Sequence, residues 1–266
     1  MDRSGPVRGR GRASPRPVPR GEPLPLVPSP PDRFSNYLGS TNGTSVARLR
    51  AYARACLEEG GRRGSLLLLG PRGSGKSHLA RALVAEVREG GAEAVYLDLA
   101  AAGTETARLL LAAGGWERYA CLALDGIGAL RGQRASEEAL LSLLVESAAQ
   151  PTGVLLTDGE EGEIGEGWIL PDVASRLRAA EAVRLRSPDE AERLAVLRAF
   201  FAARRTPVGE AVLAWIDAHA PRDLTTLGAL AGALLHESAR QKRRIGIGLA
   251  REVLRSMSEV AVGGGR

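Results

Sequence analysis

Eight residues, Gly70-Pro71-Arg72-Gly73-Ser74-Gly75-Lys76-Ser77, constrain this chain more than any other stretch. They fit the pattern Gly-x-x-x-x-Gly-Lys-Ser/Thr, and their surroundings suit it. Ser65-Leu-Leu-Leu-Leu69 is an apolar strand entering the loop, and Ser77-His78-Leu-Ala-Arg-Ala-Leu-Val-Ala-Glu-Val reads as a helix leaving it. In such a loop the glycines let backbone N–H groups curl around phosphates, while the helix that follows points its positive end at the anion. Lys76 supplies a compact charge to the β- and γ-oxygens, Ser77 offers its hydroxyl to Mg²⁺, and His78 beside them is counted with the nucleotide-binding residues. The lysine is telling, because the chain writes its positive charge almost wholly as arginine: Lys76 and Lys242 are its two lysines. A guanidinium fork is too bulky for that cradle. The loop predicts binding of a nucleoside phosphate, ADP or ATP with Mg²⁺.

The net charge of +5 looks like a nucleic-acid signal until it is located. Within residues 1–20, Arg3, Arg8, Arg10, Arg12, Arg16 and Arg20 against Asp2 already account for all of it. The rest of the chain is neutral, so strong direct DNA binding by the folded body is not expected. The tail itself, rich in Arg, Gly, Pro and Ser, reads as disordered, with weak nucleic-acid contact as the alternative. Cys56 and Cys121 are far apart in sequence, lack ligand spacing, and read as buried free thiols rather than a disulfide or metal pair. His78, His219 and His236 show no metal-binding spacing. No apolar run suggests a signal peptide or a membrane span, so a cytoplasmic protein without membrane contact is expected.

At 266 residues and 44% apolar content, an α/β domain with a smaller companion is expected. Order is expected to begin near Pro31, with a first helix over 46–57. Strands at 65–69, 94–98, 120–124, 153–157 and 182–186 then alternate with helices at 76–88, 104–113, 135–148 and 172–180. Five short strands joined by helices predict a parallel sheet covered on both faces. Beyond Arg186 the pattern is helical only: 188–204, 208–219, 222–239 and 248–258. Ser187-Pro188-Asp189-Glu190 reads as the start of the first of these, with Ser187 as cap. The layout is that of an AAA+ module. Residues 1–31 form a basic, Pro-rich tail, 32–187 the nucleotide-binding base, 188–259 a helical lid, and 260–266 a C-terminal tail.

Tyr119-Ala-Cys-Leu-Ala-Leu-Asp125 is an apolar strand ending in a carboxylate about fifty residues past the loop. This is a Walker B arrangement, in which Asp125 holds Mg²⁺; a strand-terminal Asp capping a turn is the alternative. AAA+ ATPases place a second acid next, and this chain has Gly126. Asp98 and Asp158 end neighbouring strands outside that position. Weak or absent intrinsic ATP hydrolysis follows, which leaves open whether the chain is an enzyme in its own right.

From Phe34 to about Leu254 the sequence resembles the DnaA family, and within it the short regulatory Hda-like branch. Phe34-Ser-Asn-Tyr37-Leu38-Gly-Ser-Thr-Asn42 is similar to that family's adenine-binding loop, with Leu38 and Asn42 at the base. Leu124-Asp125-Gly-Ile-Gly-Ala-Leu130 is similar to its Walker B segment. Gly153-Val-Leu-Leu-Thr157-Asp158 is similar to its sensor 1 strand, without the usual Arg-Pro run. Leu170-Pro-Asp-Val-Ala-Ser-Arg176-Leu177 is similar to the box carrying an arginine finger, which puts Arg176 in that role; an internal ion pair is the alternative. Pro221-Arg222-Asp-Leu is similar to sensor 2, with Arg222 facing the phosphates.

The chain ends shortly after the last lid helix, so the DNA-binding domain of DnaA itself is not expected. Gly21-Glu22-Pro23-Leu24-Pro25-Leu26 matches part of a sliding-clamp motif of the Gln-Leu-x-Leu-Pro-Leu kind: Leu24, Pro25 and Leu26 are in place, whereas Gly21 stands for Gln and Glu22 for an apolar residue. A Pro-rich linker is the alternative. The resemblance implies a negative regulator of replication initiation. It would sit on the DNA-loaded DNA polymerase III sliding clamp, present Arg176 to DnaA·ATP and drive hydrolysis there; a homodimer or oligomer is a further possibility. The competing readings are a helicase-loader type AAA+ ATPase and a stand-alone P-loop kinase or transferase.

Overall fold

The computed structural model describes residues 32–58, 63–159 and 166–263, and the side chains of residues 32–258 within them. Its sheet comprises β1 (Ser65–Leu69), β2 (Ala94–Asp98), β3 (Cys121–Asp125), β4 (Gly153–Thr157) and β5 (Glu181–Arg184). All pairings are parallel and the spatial order is β2-β3-β4-β1-β5. The central strands are apolar without interruption because both of their faces are covered. Leu66 and Leu68 face one core with Cys121, Ala123 and Leu155, whereas Leu67 and Leu69 face the other with Leu122, Leu124, Val154 and Leu156. Each such buried leucine contributes about 2 kcal/mol.

Helices α1 (Gly43–Ala55) and α2 (Lys76–Glu89) close the first face. The second face carries α4 (Thr104–Ala112), α5 (Arg134–Ala149) and α6 (Pro171–Ala179), with the single turn α3 (Leu99–Ala102) ahead of α4. The helix expected over 104–113 is thus preceded by a separate turn, broken from it at Gly103, where φ is 75°. From β1 the chain crosses toward β2, and from β4 it hops over β1 to β5. The carboxyl end of β1 therefore lies where crossovers diverge, the position at which open α/β sheets bind ligands.

Helices α7 (Glu190–Ala203), α8 (Glu210–His219), α9 (Leu224–Gln241) and α10 (Ile247–Gly263) enclose a separate core around Leu197, Phe201, Ile216, Leu230 and Leu234. The cap of α7 is Asp189 and not Ser187, as the sequence suggested. Asp189 accepts from Glu192 N–H at 2.8 Å, and Glu192 returns the bond to Asp189 N–H at 3.2 Å. Glu192 also receives Thr41 N–H at 2.8 Å, which ties the lid to the loop before α1. Inside the lid, the buried Arg193 guanidinium forks onto Asp217 at 2.6 and 2.9 Å. Cys56 and Cys121 are buried free thiols, as expected, and lie in the same core.

Candidate functional site

The loop Gly70–Ser77 joins β1 to α2 and is wrapped on two sides. A Cβ on Gly73 would lie 2.6 Å from Asp223 Cβ and 2.7 Å from Leu224 N, so the start of α9 rests against the loop's backbone. A Cβ on Gly75, where φ is 94°, would lie 2.6 Å from the Tyr37 ring. Tyr37 also donates its hydroxyl to Ser74 O at 2.9 Å, and so props the loop from the N-terminal side. Lys76 Nζ folds back onto Gly70 O at 2.6 Å and Pro71 O at 2.9 Å. Ser74 Oγ is buried under Gly70 without a hydrogen-bond partner among the described residues. Backbone N–H groups, an ammonium and a helix N-terminus converge here, which is the chemistry of a polyphosphate cradle.

Above the loop opens a cleft of about 850 Å³. Pro71, Arg72, Gly73, Lys76, Ser77 and His78 line its floor, and Leu38, Val196 and Phe200 give it an apolar flank. Leu224, Thr225 and Gly228 of α9 close it from the lid. Sequence reasoning found the floor and Leu38 but missed Val196, Phe200, Thr225 and Glu192, because the lid's inner face carries no motif.

Three expected contacts take a different form. Asn42 is not on the cleft: its amide donates to Tyr37 Oη at 2.8 Å and Arg186 O at 3.0 Å, and accepts from Arg186 N at 2.8 Å. It fastens the start of α1 to the exit of β5. His78 lines the cleft, but Nδ1 lies 2.7 Å from Asp32 Oδ1 and Nε2 2.9 Å from Arg33 O, so both ring nitrogens are engaged on the N-terminal segment. Burial pushes the Asp32 carboxyl up, but its bonds to His78 and Arg81 outweigh that and hold it below the usual carboxylate range. Arg222 is exposed and does not line the cleft; α9 begins two residues later than expected, capped by Asp223 onto Thr226 N–H at 2.8 Å.

Asp125 is buried at the end of β3 and shares a smaller cleft of about 340 Å³ with Lys76 and Ser77. Thr157 donates to one of its oxygens and Tyr96 to the other at 2.6 Å. Thr157 thus reaches the Asp125 carboxylate directly. Gly126 leaves no side chain beside Asp125; of the other acids on this cleft, Asp98 caps Ala101 N–H at 2.9 Å and Asp158 pairs with Arg131. Among the described residues no cluster of three His, Cys, Asp or Glu could hold a metal unaided. Ser77 and Asp125 are hard oxygen donors that fit a Mg²⁺ arriving with the phosphates, which together with water would complete its coordination. Such an ion would draw charge from the phosphate oxygens; the chain's part is to hold Asp125 and Ser77 toward it.

Arg176 lies elsewhere. It is exposed on α6 and lines a cleft of about 500 Å³ with Arg48, Ser65 and Glu181, at the amino ends of β1 and β5. Five residue steps from Ser65 to Gly70, about 16 Å, separate that edge from the start of the phosphate loop. Among the described residues its guanidinium has no hydrogen bond or ion pair, whereas Arg48 in the same cleft is paired with Glu181. Behind α6 stands a residue without a sequence signature. Glu137, fully buried, accepts from the backbone N–H groups of Gly132 at 2.9 Å, Ile169 at 3.0 Å and Leu170 at 2.8 Å, and so fixes where α6 starts. Leu24, Pro25 and Leu26 lie outside the described residues. No helix among the described residues is long and apolar enough to cross a membrane.

No protein-family model and no curated protein matches the sequence. Solved structures do match by shape. Domain III of the replication initiation protein DnaA from Thermotoga maritima superposes with a TM-score of 0.69 at 18% identity, over 86% of this chain and 98% of that one. AMPPCP-bound DnaA from Aquifex aeolicus gives 0.64 at 12% identity, over 85% and 69%. The Holliday junction branch migration motor RuvB of Thermotoga maritima gives 0.62 at 16% identity, over 85% and 72%. The five-stranded parallel sheet, its flanking helices and the C-terminal helical region together form the fold of an AAA+ module.

Proposed function

We propose that this chain is an adenine-nucleotide-binding AAA+ protein of the Hda-like kind, which restrains replication initiation by stimulating hydrolysis of ATP bound to DnaA. The phosphate cradle with its apolar flank supports nucleotide binding, and the AMPPCP held by the Aquifex DnaA supports an adenine nucleotide. The observation that carries the regulatory part is the division between Asp125 and Arg176. In this reading the chain's own site has a metal-holding carboxylate but Gly126 where a water-orienting acid would stand, with Asp98 and Asp158 on the same cleft but outside that position. Arg176, read as an arginine finger, is exposed at the amino edge of the sheet, whereas the phosphate loop follows the carboxyl end of β1.

A guanidinium placed there acts on a second molecule. Docked against the γ-phosphate of a neighbour's ATP, Arg176 would neutralise charge that grows as the phosphoryl group leaves, an effect worth roughly 10³–10⁵ in rate. The bound nucleotide of this chain serves to brace base against lid, since the cleft is floored by one and closed by the other. Leu24, Pro25 and Leu26 supply the contact to the DNA-loaded sliding clamp.

The test is a reconstituted assay of DnaA·ATP hydrolysis with DNA-loaded clamp and this protein. The wild type should accelerate hydrolysis, and Arg176→Ala should assemble normally yet leave DnaA·ATP intact. Normal stimulation by Arg176→Ala sinks the finger assignment. Brisk ATP turnover by the isolated protein, well above that of Asp125→Ala, replaces the regulatory reading with a helicase-loader one.

A further inference from the structure

Both oxygens of the Asp125 carboxylate are held by hydroxyls from flanking strands, and each hydroxyl is itself held by an N–H donor. On one side Gly126 N–H reaches Thr157 Oγ1 at 2.9 Å, and Thr157 donates to Asp125 Oδ1. On the other, Arg81 Nη1 reaches Tyr96 Oη at 3.0 Å, and Tyr96 donates to Asp125 Oδ2 at 2.6 Å. Donors aligned head to tail polarise one another, so each hydroxyl is a stronger donor than it would be alone. A carboxylate has about four acceptor sites, and two hydroxyls fill half of them. The rest can serve the cleft that Asp125 shares with Ser77 and Lys76.

The two arms differ in what anchors them. The Thr157 arm is made of adjacent strand ends and comes with the sheet. The Tyr96 arm is built from side chains: the Arg81 guanidinium stands 5.2 Å over the Tyr96 ring, and its Nε donates to Asp32, which also faces His78. Tyr96 is half-buried and Arg81 is exposed, so water could satisfy both without this arrangement. A hydroxyl on a half-exposed ring directed at a buried carboxylate instead fixes that carboxylate's rotamer.

We propose that Tyr96 is a positioning residue for the metal-holding carboxylate of Asp125, and that it sets the Mg²⁺-dependent part of this chain's nucleotide affinity. The proposal rests on the nucleotide-binding reading above. It concerns no group that touches the nucleotide, since Tyr96 acts through Asp125 alone.

The experiment is a calorimetric titration of the full chain with ADP, once in Mg²⁺ and once in EDTA, for wild type, Tyr96→Phe and Val95→Ala. Phenylalanine keeps the ring and its place under Arg81 and removes only the hydroxyl. Val95→Ala loosens the same strand without touching Asp125. Tyr96→Phe should bind ADP as the wild type does in EDTA and lose about tenfold of the gain that Mg²⁺ brings, the usual cost of removing a partner that orients a metal ligand. Val95→Ala should keep the full gain. An unchanged gain in Tyr96→Phe overturns the proposal, as does an equal loss in Mg²⁺ and EDTA, or the same loss of gain in Val95→Ala. A wild type that binds ADP in neither buffer removes the nucleotide reading and this proposal with it. A wild type that binds equally well in both removes the proposal alone.

Discussion

Glu137 tests how far one buried carboxylate can hold a functional helix in place. Its Oε1 accepts Gly132 N–H at 2.9 Å and Ile169 N–H at 3.0 Å, and its Oε2 accepts Leu170 N–H at 2.8 Å. It sits in the first turn of α5, where the helix dipole favours a negative charge. Glu137→Ala leaves three backbone donors without an acceptor. A buried orphaned donor costs about 1–3 kcal/mol. Gly132 and Ile169 are exposed residues that water can reach, so their N–H groups fall at the low end, and Leu170 is half-buried. The sum is about 4 kcal/mol, or about 12 °C in Tm for a unit of this size. Glu137→Gln separates the contributions. Its carbonyl can keep the two bonds at Oε1, but its NH₂ then meets Leu170 N–H donor to donor, and the loss is about 2 kcal/mol. Chemical denaturation of both variants at neutral pH reads these values. Under the proposed function, Leu170 is the cap of the helix that carries Arg176, so stimulation of the partner falls while ADP affinity holds. A Glu137→Ala variant within about 1 kcal/mol of wild type, or a Gln variant as unstable as the Ala one, refutes the accounting.

Lys76→Ala removes the ammonium from the phosphate cradle and should weaken ADP and ATP binding at least tenfold by calorimetry, a charge-assisted hydrogen bond being worth about 1.5–3 kcal/mol; unchanged affinity places the phosphates elsewhere. Asp217→Ala strands the buried Arg193 guanidinium, and the lid should lose about 3–5 kcal/mol, seen as early hydrogen exchange in α7 and α8. Deletion of residues 23–27 should leave nucleotide affinity and melting temperature intact, because the segment precedes Asp32, where the described contacts begin. The same deletion should abolish recovery of the sliding clamp in a pull-down, and clamp recovered with the shortened chain makes Leu24-Pro25-Leu26 a linker.

What the sequence disclosed was whatever is encoded locally. The apolar run 65–69 and the glycine spacing after it are contiguous, so β1, the loop and α2 were legible within a residue of their observed bounds. The place of Asp125 at a strand end was legible because it needs only its own strand for recognition. Residues whose partners lie far along the chain were read less well. Asn42 carried a base-contact reading from its neighbourhood, yet its amide closes on Arg186, across the first strand and the rest of the sheet. Tyr96 and Glu137 had no local pattern at all; each acquires its role from a backbone or carboxylate about thirty residues away. Helix starts failed where two caps compete within a few residues. Ser187 and Asp189 both offer an acceptor with a Glu three residues on. Asp189 wins because Glu192 also takes Thr41 N–H, and Arg193 then reaches both Pro188 O and Asp217. The same kind of two-residue shift at Asp223 turns Arg222 out of the cleft and puts Leu224 and Thr225 in it. A shift of two residues on a helix is about 200° of rotation. Side chains assigned to the inner face of the lid from a boundary alone are therefore inverted by an error that the eye counts as small.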